Sequence, residues 1–117
     1  MQKEKLINQI AKSLCMCAAN NHLRSMVQKN DQKIAIGDFS SLNDVHLMLC
    51  AHKAFFTEWA SYGIIELIRA CGGHGFSHYS GLPILLQQSF PDMILEGENS
   101  VLFLQISKAV IDTLKLI

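Results

Sequence analysis

The sequence predicts an all-α protein, a single bundle of long helices running up and down. Three observations carry that prediction. Residues 3–28 contain neither glycine nor proline and repeat apolar residues at helical spacing. A second run, 45–70, repeats them at alternating three- and four-residue steps. A third, 98–116, is apolar over most of its circumference. At 117 residues the chain has the length of one domain with a core of its own.

In the first run Leu6, Ile10, Leu14, Cys17 and Ala18 form a stripe, so an amphipathic helix is expected with that stripe facing inward. "NDQKIAIGDFSS" (30–41) is polar, contains a glycine and reads as a connecting loop. Ser41 or Asn43 then caps the second helix. Along it Val45, Leu49, His52, Phe56, Trp59, Gly63, Leu67 and Ala70 make one seam. Gly63 costs about 1 kcal/mol relative to alanine in a helix interior, a cost that a close helix crossing offsets. Gly72 and Gly73 end the run as a left-handed cap requires.

A short helix is expected after Pro83 within "SGLPILLQQSF" (80–90), and "PDMILEGENS" (91–100) reads as a second loop. The last helix is expected from about Glu98 to Leu116. Gln105, Lys108, Asp112 and Lys115 share one narrow polar arc. Val101, Leu102, Phe103, Leu104, Ile106, Val110, Ile111 and Leu114 occupy most of the remainder. An apolar arc wider than half a turn needs more than one neighbour to cover it, which places this helix inside a bundle or at an interface.

Composition removes several classes of function. Half the residues are hydrophobic, 17% are charged and the net charge is zero, so there is no electrostatic footprint for nucleic acid. No run approaches the length of a membrane span, and the charged start "MQKEK" lacks a signal-peptide core behind it. Cys15, Cys17, Cys50 and Cys71 lie in or at the end of helical runs and are expected to be reduced packing residues. There is no CxxC spacing for zinc and no internal repeat.

Chemistry concentrates in two stretches. "RACGGHGFSHYSGLP" (69–83) interrupts the helical pattern with three glycines in four positions. Its Gly73-His74-Gly75 begins like a dinucleotide fingerprint, but His78 stands where the third glycine belongs, and a helix precedes it instead of a strand. His74 and His78 have the spacing of a helical metal pair, yet Gly75 and Ser77 oppose a helix there, so no metal site is assigned. His22, His46 and His52 read as packing or surface histidines. Glu96, in "ILEGENS", follows two apolar residues and precedes a glycine just before the last helix. Partial desolvation there favours its neutral form and the helix N-terminus its anion, a balance that suits a general base. The residues alone leave a second option open, that Glu96 or Glu98 caps the helix.

The two stretches together, "RACGGHGFSHYSGLP" and then "LEGENSVLFLQ", resemble the carboxy-terminal helical domain of peroxisomal acyl-CoA oxidases, flavoenzymes of the acyl-CoA dehydrogenase superfamily. The likeness extends back through "DFSSLNDVHLMLCAHKAFFTEWASYGIIELI" and covers about residues 37–111. It implies the first step of fatty-acid β-oxidation. A carboxylate takes the α-proton of a fatty acyl-CoA while a hydride leaves the β-carbon for FAD. O2 reoxidises the flavin, giving trans-2-enoyl-CoA and H2O2.

By that resemblance Glu96 is the base, and its backbone N–H helps hold the thioester carbonyl. Gly72, Gly73 and Gly75 form the loop that approaches FAD, a cofactor the family often holds mainly on the partner subunit. Arg69 falls where related dehydrogenases often carry a flavin-contacting glutamine. Asn99 and Ser100 fall where the family has polar residues facing the cofactor site. The pattern departs at Phe76 and Leu95, where tyrosine and an aromatic are usual, and at Ser100, which replaces threonine.

Full oxidases are several times longer, with an amino-terminal helical domain and a middle β-domain that supply most of the substrate and flavin pocket. The expectation is therefore a fragment, a truncated product or one domain of a divided enzyme, inactive without those domains because positioning is missing. A homodimer or association with flavin domains is expected. The alternative is a non-catalytic helical module that binds oxidase subunits or another partner. Location in the peroxisome is implied by resemblance, although "TLKLI" is not a Ser-Lys-Leu address, which leaves the cytoplasm open. The final expectation is geometric: Glu96 and the turn at 72–75 converge on one flavin-filled cleft.

Overall fold

The structure is a computed structural model that describes residues 2–115. The described residues form five α-helices: α1 (Gln2–Ala35), α2 (Leu42–Ala70), α3 (Gly73–Phe76), α4 (Leu82–Ser89) and α5 (Asn99–Leu114). Two 3-10 turns, His78–Ser80 and Phe90–Met93, flank α4, and no strand occurs among the described residues. The all-α, up-and-down expectation holds.

Helix α2 is the spine, and α1, α4 and α5 each pack along it. Partners run in opposite numerical order in every case. Near the start of α1, the Gln2 side chain donates to the Ala70 carbonyl at 3.1 Å and Lys5 pairs with Glu66 at 3.5 Å. Ser61 meets Ser89 at the end of α4 at 3.2 Å while Arg69 shares a groove with Pro83 near its start, and on α5 Lys53 meets Asn99 at 2.8 Å and Cys50 meets Gln105 at 4.0 Å. The three helices are thus antiparallel to α2, and α2 is covered on two faces. The predicted seam on α2 faces α1 at Trp59 and Gly63. Its other covered face carries Cys50, Ala54 and Ser61, which a one-seam reading leaves out.

Two boundaries differ from expectation. Helix α1 continues to Ala35, through residues expected in the loop, because Leu23, Asn30 and Ile34 keep facing α2 and its approach. Ser41 stands at the N-cap of α2, but its hydroxyl donates to Asn30 Oδ1 at 3.1 Å and caps nothing. Helix α4 begins at Leu82 with Pro83 in its first turn, the position proline tolerates. Helix α5 follows Glu98 closely, as expected.

The larger correction concerns which faces are covered. Leu6, Ile10 and Leu14 of the α1 stripe are 52%, 51% and 67% exposed. Gln9 and Lys12 face α2 instead, with Gln9 beside Gly63 and the Lys12 ammonium 5.7 Å from the Trp59 ring centroid. Periodicity finds an apolar face without saying which neighbour covers it. Of the four cysteines only Cys50 is buried; Cys15, Cys17 and Cys71 are exposed and all four are free. The core is correspondingly thin, a cluster of Cys50, Ala54 and Leu102 with Ile106 against it.

Candidate functional site

The turn before α5 resolves the competition between its two glutamates. Glu98 caps the helix: its carboxylate accepts the Ser100 N–H at 2.9 Å and the Val101 N–H at 3.3 Å. The hydrogen bond from the Ser100 backbone, with that from the Ser100 hydroxyl, holds the Glu98 carboxyl below its ordinary value of 4.5. Glu96 is thereby released from capping. It takes φ 58°, the one positive φ at a non-glycine residue among the described residues, and Gly97 follows at 102°. A left-handed backbone costs a side-chain-bearing residue about 1–2 kcal/mol, and observed outliers of this kind concentrate at functional sites.

Glu96 is exposed and borders a hollow of about 400 Å3 that it lines with Lys53, Thr57, Asp92 and Leu95. Its carboxylate has no ion-pair partner among the described residues. The desolvation expected from its apolar neighbours is absent within this chain, because Leu95 is 60% exposed and Ile94 54% exposed. No backbone carbonyl of the described residues takes the Glu96 N–H, so that donor is open.

Beneath the turn lies a polar network that sequence reasoning missed. Lys53 of α2 donates to the Gly97 carbonyl and, at 2.8 Å, to Asn99 Oδ1. The Asn99 amide group donates toward the Ala54 carbonyl at 3.2 Å, Thr57 Oγ1 at 3.0 Å and Glu58 Oε1 at 3.1 Å. Asn99 is 1% exposed, so its side chain is committed to α2. Ser100 is exposed, and its hydroxyl donates to Glu98 Oε1 at 3.0 Å. One signal was available: Lys53 and Thr57 sit four residues apart in "AHKAFFTEW", on one helix face, with Glu58 beside Thr57.

The glycine turn is a second feature, at the far end of α2. Gly72 takes φ 59° and has no atom within 4 Å of where a Cβ would stand; Gly73 is equally open. Gly75 differs. Its N–H donates to the Gly72 carbonyl at 3.0 Å, and a Cβ there would lie 2.3 Å from the Ile68 carbonyl oxygen. It is a packing glycine, which lets α3 close onto α2. The turn expected to be irregular is in fact helical from Gly73 to Phe76, with Ser77 extended after it. His74 and His78 therefore lie on different elements, and no cluster of metal-ligating residues gathers among the described residues.

Arg69 is 67% exposed at its side chain and donates to Glu66 at 2.8 Å. It stands on the rim of an apolar groove of about 730 Å3 walled by Ile65, Ile68, Phe76, Pro83, Leu86 and Phe90.

Glu96 and the glycine turn do not share a cleft within one chain. Glu96 lies beside Thr57, whereas the turn follows α2's last residue, about 20 Å further along the axis at 1.5 Å per residue. The 3-10 turn Phe90–Met93 divides their two hollows, with Phe90 and Pro91 on one side and Asp92 on the other. A ligand would have to be long, or shared with another chain, to touch both.

Comparison with known proteins shows the family to which the chain belongs. The family described as "Acyl-CoA oxidase, C-alpha1 domain" matches residues 1–111. Peroxisomal acyl-coenzyme A oxidase 2 of Mus musculus is 36% identical over 107 residues, which are 92% of this chain and 16% of that protein. Peroxisomal acyl-coenzyme A oxidase 1 of Homo sapiens is 34% identical over the same length. The structure of Arabidopsis thaliana acyl-CoA oxidase 1 superposes with a TM-score of 0.80 at 31% identity, covering 83% of this chain and 15% of that one. This chain thus spans about a sixth of the curated relatives that it matches. On its fold, its two motifs and these similarities, the chain belongs to the acyl-CoA oxidase family and corresponds to its C-alpha1 domain.

Proposed function

We propose that this chain acts as part of an FAD-dependent acyl-CoA oxidase that converts a fatty acyl-CoA and O2 to trans-2-enoyl-CoA and H2O2, with Glu96 removing the α-proton. The observation that carries the reading is Glu96 itself. It is a carboxylate without an ion-pair partner among the described residues, held in left-handed backbone beside an open hollow while its neighbour Glu98 does the capping. A helix start needs one cap. The second glutamate in a costly conformation asks for another use.

The α-proton passes to the Glu96 carboxylate as the hydride leaves the β-carbon. The Glu96 N–H, which meets no backbone carbonyl among the described residues, would donate to the thioester carbonyl and stabilise the charge that develops there. FAD, when bound, supplies the acceptor for the hydride and returns the electrons to O2. Gly72 and Gly73 fit the edge of such a cofactor, since their backbone presents no side chain and has open space where a Cβ would stand. Arg69 would hold it from the groove rim. Gly75 and Asn99 serve these positions indirectly, by packing and by hydrogen bonding into α2. Ser100 would face the cofactor side of the α5 start with its exposed hydroxyl.

The uncovered apolar faces of α1 and α5 support association with flavin domains or with a second copy. The relatives carry "peroxisomal" in their names, and we place the complete enzyme in the same compartment. A non-catalytic helical module has no use for a strained carboxylate without a partner, which is why the oxidase reading is preferred.

The test is Glu96→Gln in the complete oxidase carrying this domain. Turnover should fall by at least about 10²–10⁴-fold, the usual contribution of a positioned general base, while bound flavin is retained. Turnover near that of the parent would move the base elsewhere.

A further inference from the structure

Two consecutive left-handed residues, Glu96 and Gly97, make a turn that does little to hold itself. Its backbone hydrogen bonds come earlier: the N–H groups of Ile94 and Leu95 both donate to the Pro91 carbonyl at 2.9 Å. Beyond Leu95 the turn is fixed from outside, by α2. The Lys53 ammonium takes the Gly97 carbonyl and Asn99 Oδ1 together, bridging the turn to the first residue of α5. Asn99 is fixed in turn by Ala54, Thr57 and Glu58. Thr57 is itself oriented, since its hydroxyl donates to the Lys53 carbonyl at 2.9 Å. The turn passes close over α5, since a Cβ added at Gly97 would stand 3.0 Å from Leu102 Cδ2.

Neither helix start nor helix packing requires this lysine. Glu98 already caps α5, and Leu102 with Ile106 already packs it against Cys50 and Ala54. An ammonium half-buried between two helices is costly to desolvate, and an apolar side chain would join them as well. What Lys53 does that an apolar residue cannot is donate to the carbonyl of the residue after Glu96 and to Asn99 Oδ1 at once, tying the turn to the start of α5.

We propose that Lys53 and Asn99 are positioning residues for α-proton abstraction: they lock the Gly97 carbonyl and so keep Glu96 in the left-handed backbone that aims its carboxylate. The inference rests on the reading of Glu96 as the base. A displacement of about 1 Å at a reacting group costs on the order of 10²-fold in rate, so a loosened turn should be visible in kcat.

The experiment compares Lys53→Met and Lys53→Arg in the complete oxidase, with thermal midpoint and flavin content as fold controls. Lys53→Met should lower kcat by about 10- to 100-fold, with KM for acyl-CoA changed by less than about two-fold. The primary isotope effect on α-deuterated acyl-CoA should rise, because proton transfer becomes the slower step. Lys53→Arg, which keeps a donor for the carbonyl, should recover most of the loss. In parallel, hydrogen–deuterium exchange of the complete oxidase should show the segment around Glu96 and Gly97 exchanging faster in Lys53→Met than in the parent. If Lys53→Met does not retain flavin, Lys53→Leu, which also lacks a donor, is read in its place with the same expected loss of kcat.

An unchanged kcat and isotope effect overturns the proposal, as does a fallen kcat with the turn unmoved. The base reading fails separately, through Glu96→Gln: if that variant turns over normally while Lys53→Met still shifts the turn, the lock exists but Glu96 is not the base.

Discussion

Two glutamates separated by one glycine have opposite fates at the residue scale. Glu98 accepts the first free N–H groups of α5. Glu96, two residues earlier, is exposed in left-handed backbone and lines the hollow beside Lys53 and Thr57. The cap has a pH signature. Hydrogen bonds from Ser100 depress the folded pKa of Glu98, so its contribution is present above the ordinary carboxylate value of 4.5 and is lost as pH falls through the folded value. Glu98→Gln should therefore lower the thermal midpoint at neutral pH, and the difference from the parent should shrink between about pH 5 and pH 3. Parallel midpoint curves across that range would show that the carboxylate charge does not matter to the cap.

Two glycines separate packing from propensity at the element scale. Gly75 is buried where α3 folds back on α2, and a methyl group there meets backbone, the Ile68 carbonyl at 2.3 Å. Backbone cannot yield as a side chain does, so Gly75→Ala should destabilise the chain by about 1–3 kcal/mol, measured as a drop in denaturant midpoint. Gly63 is also buried, but the atom nearest to an added methyl is Gln9 Oε1 at 2.7 Å, the free end of a flexible side chain. Gln9 can turn aside, and α2 then gains up to about 1 kcal/mol of helix propensity, so Gly63→Ala should be neutral or stabilising. Reversed ranking of the two variants would mean that α1 approaches α2 more closely than Gln9 allows. The close backbone crossing expected at Gly63 is not found: what comes near is the Gln9 side chain, and no backbone of another helix lies within 4 Å of an added methyl.

At the scale of the whole molecule the chain is an elongated slab, 55 × 30 × 26 Å, with a radius of gyration of 17.8 Å. A globular domain of this length would have a radius of about 13 Å. Three helices lie along one spine and leave their outer faces bare. Leu6, Ile7, Ile10 and Leu14 stand out on α1, and Leu104, Val110, Ile111 and Leu114 on α5, each at least half exposed. Apolar area on this scale, on both sides of one molecule, marks surfaces made to be covered. The chain alone in solution should self-associate or bind an environment-sensitive hydrophobic dye. A monomer in sedimentation that leaves the dye dark would show that these faces tolerate water.

What could be read from residue order was everything local: the long helices, the start of α5, the wide apolar arc, and the two motifs that mark the family. Helix periodicity, glycine and proline depend on near neighbours in the chain, so they can be read without a fold. The direction of the α1 stripe could not be read, nor the exposure of three cysteines, nor the second covered face of α2. Each depends on which helix comes to lie beside which. The same holds for the site. Glu96 and the glycine turn were visible as motifs. Their separation along α2 and the Lys53–Asn99 lock were not, because those follow from α5 lying antiparallel on α2, which brings residue 53 to residue 99 across 46 positions of chain.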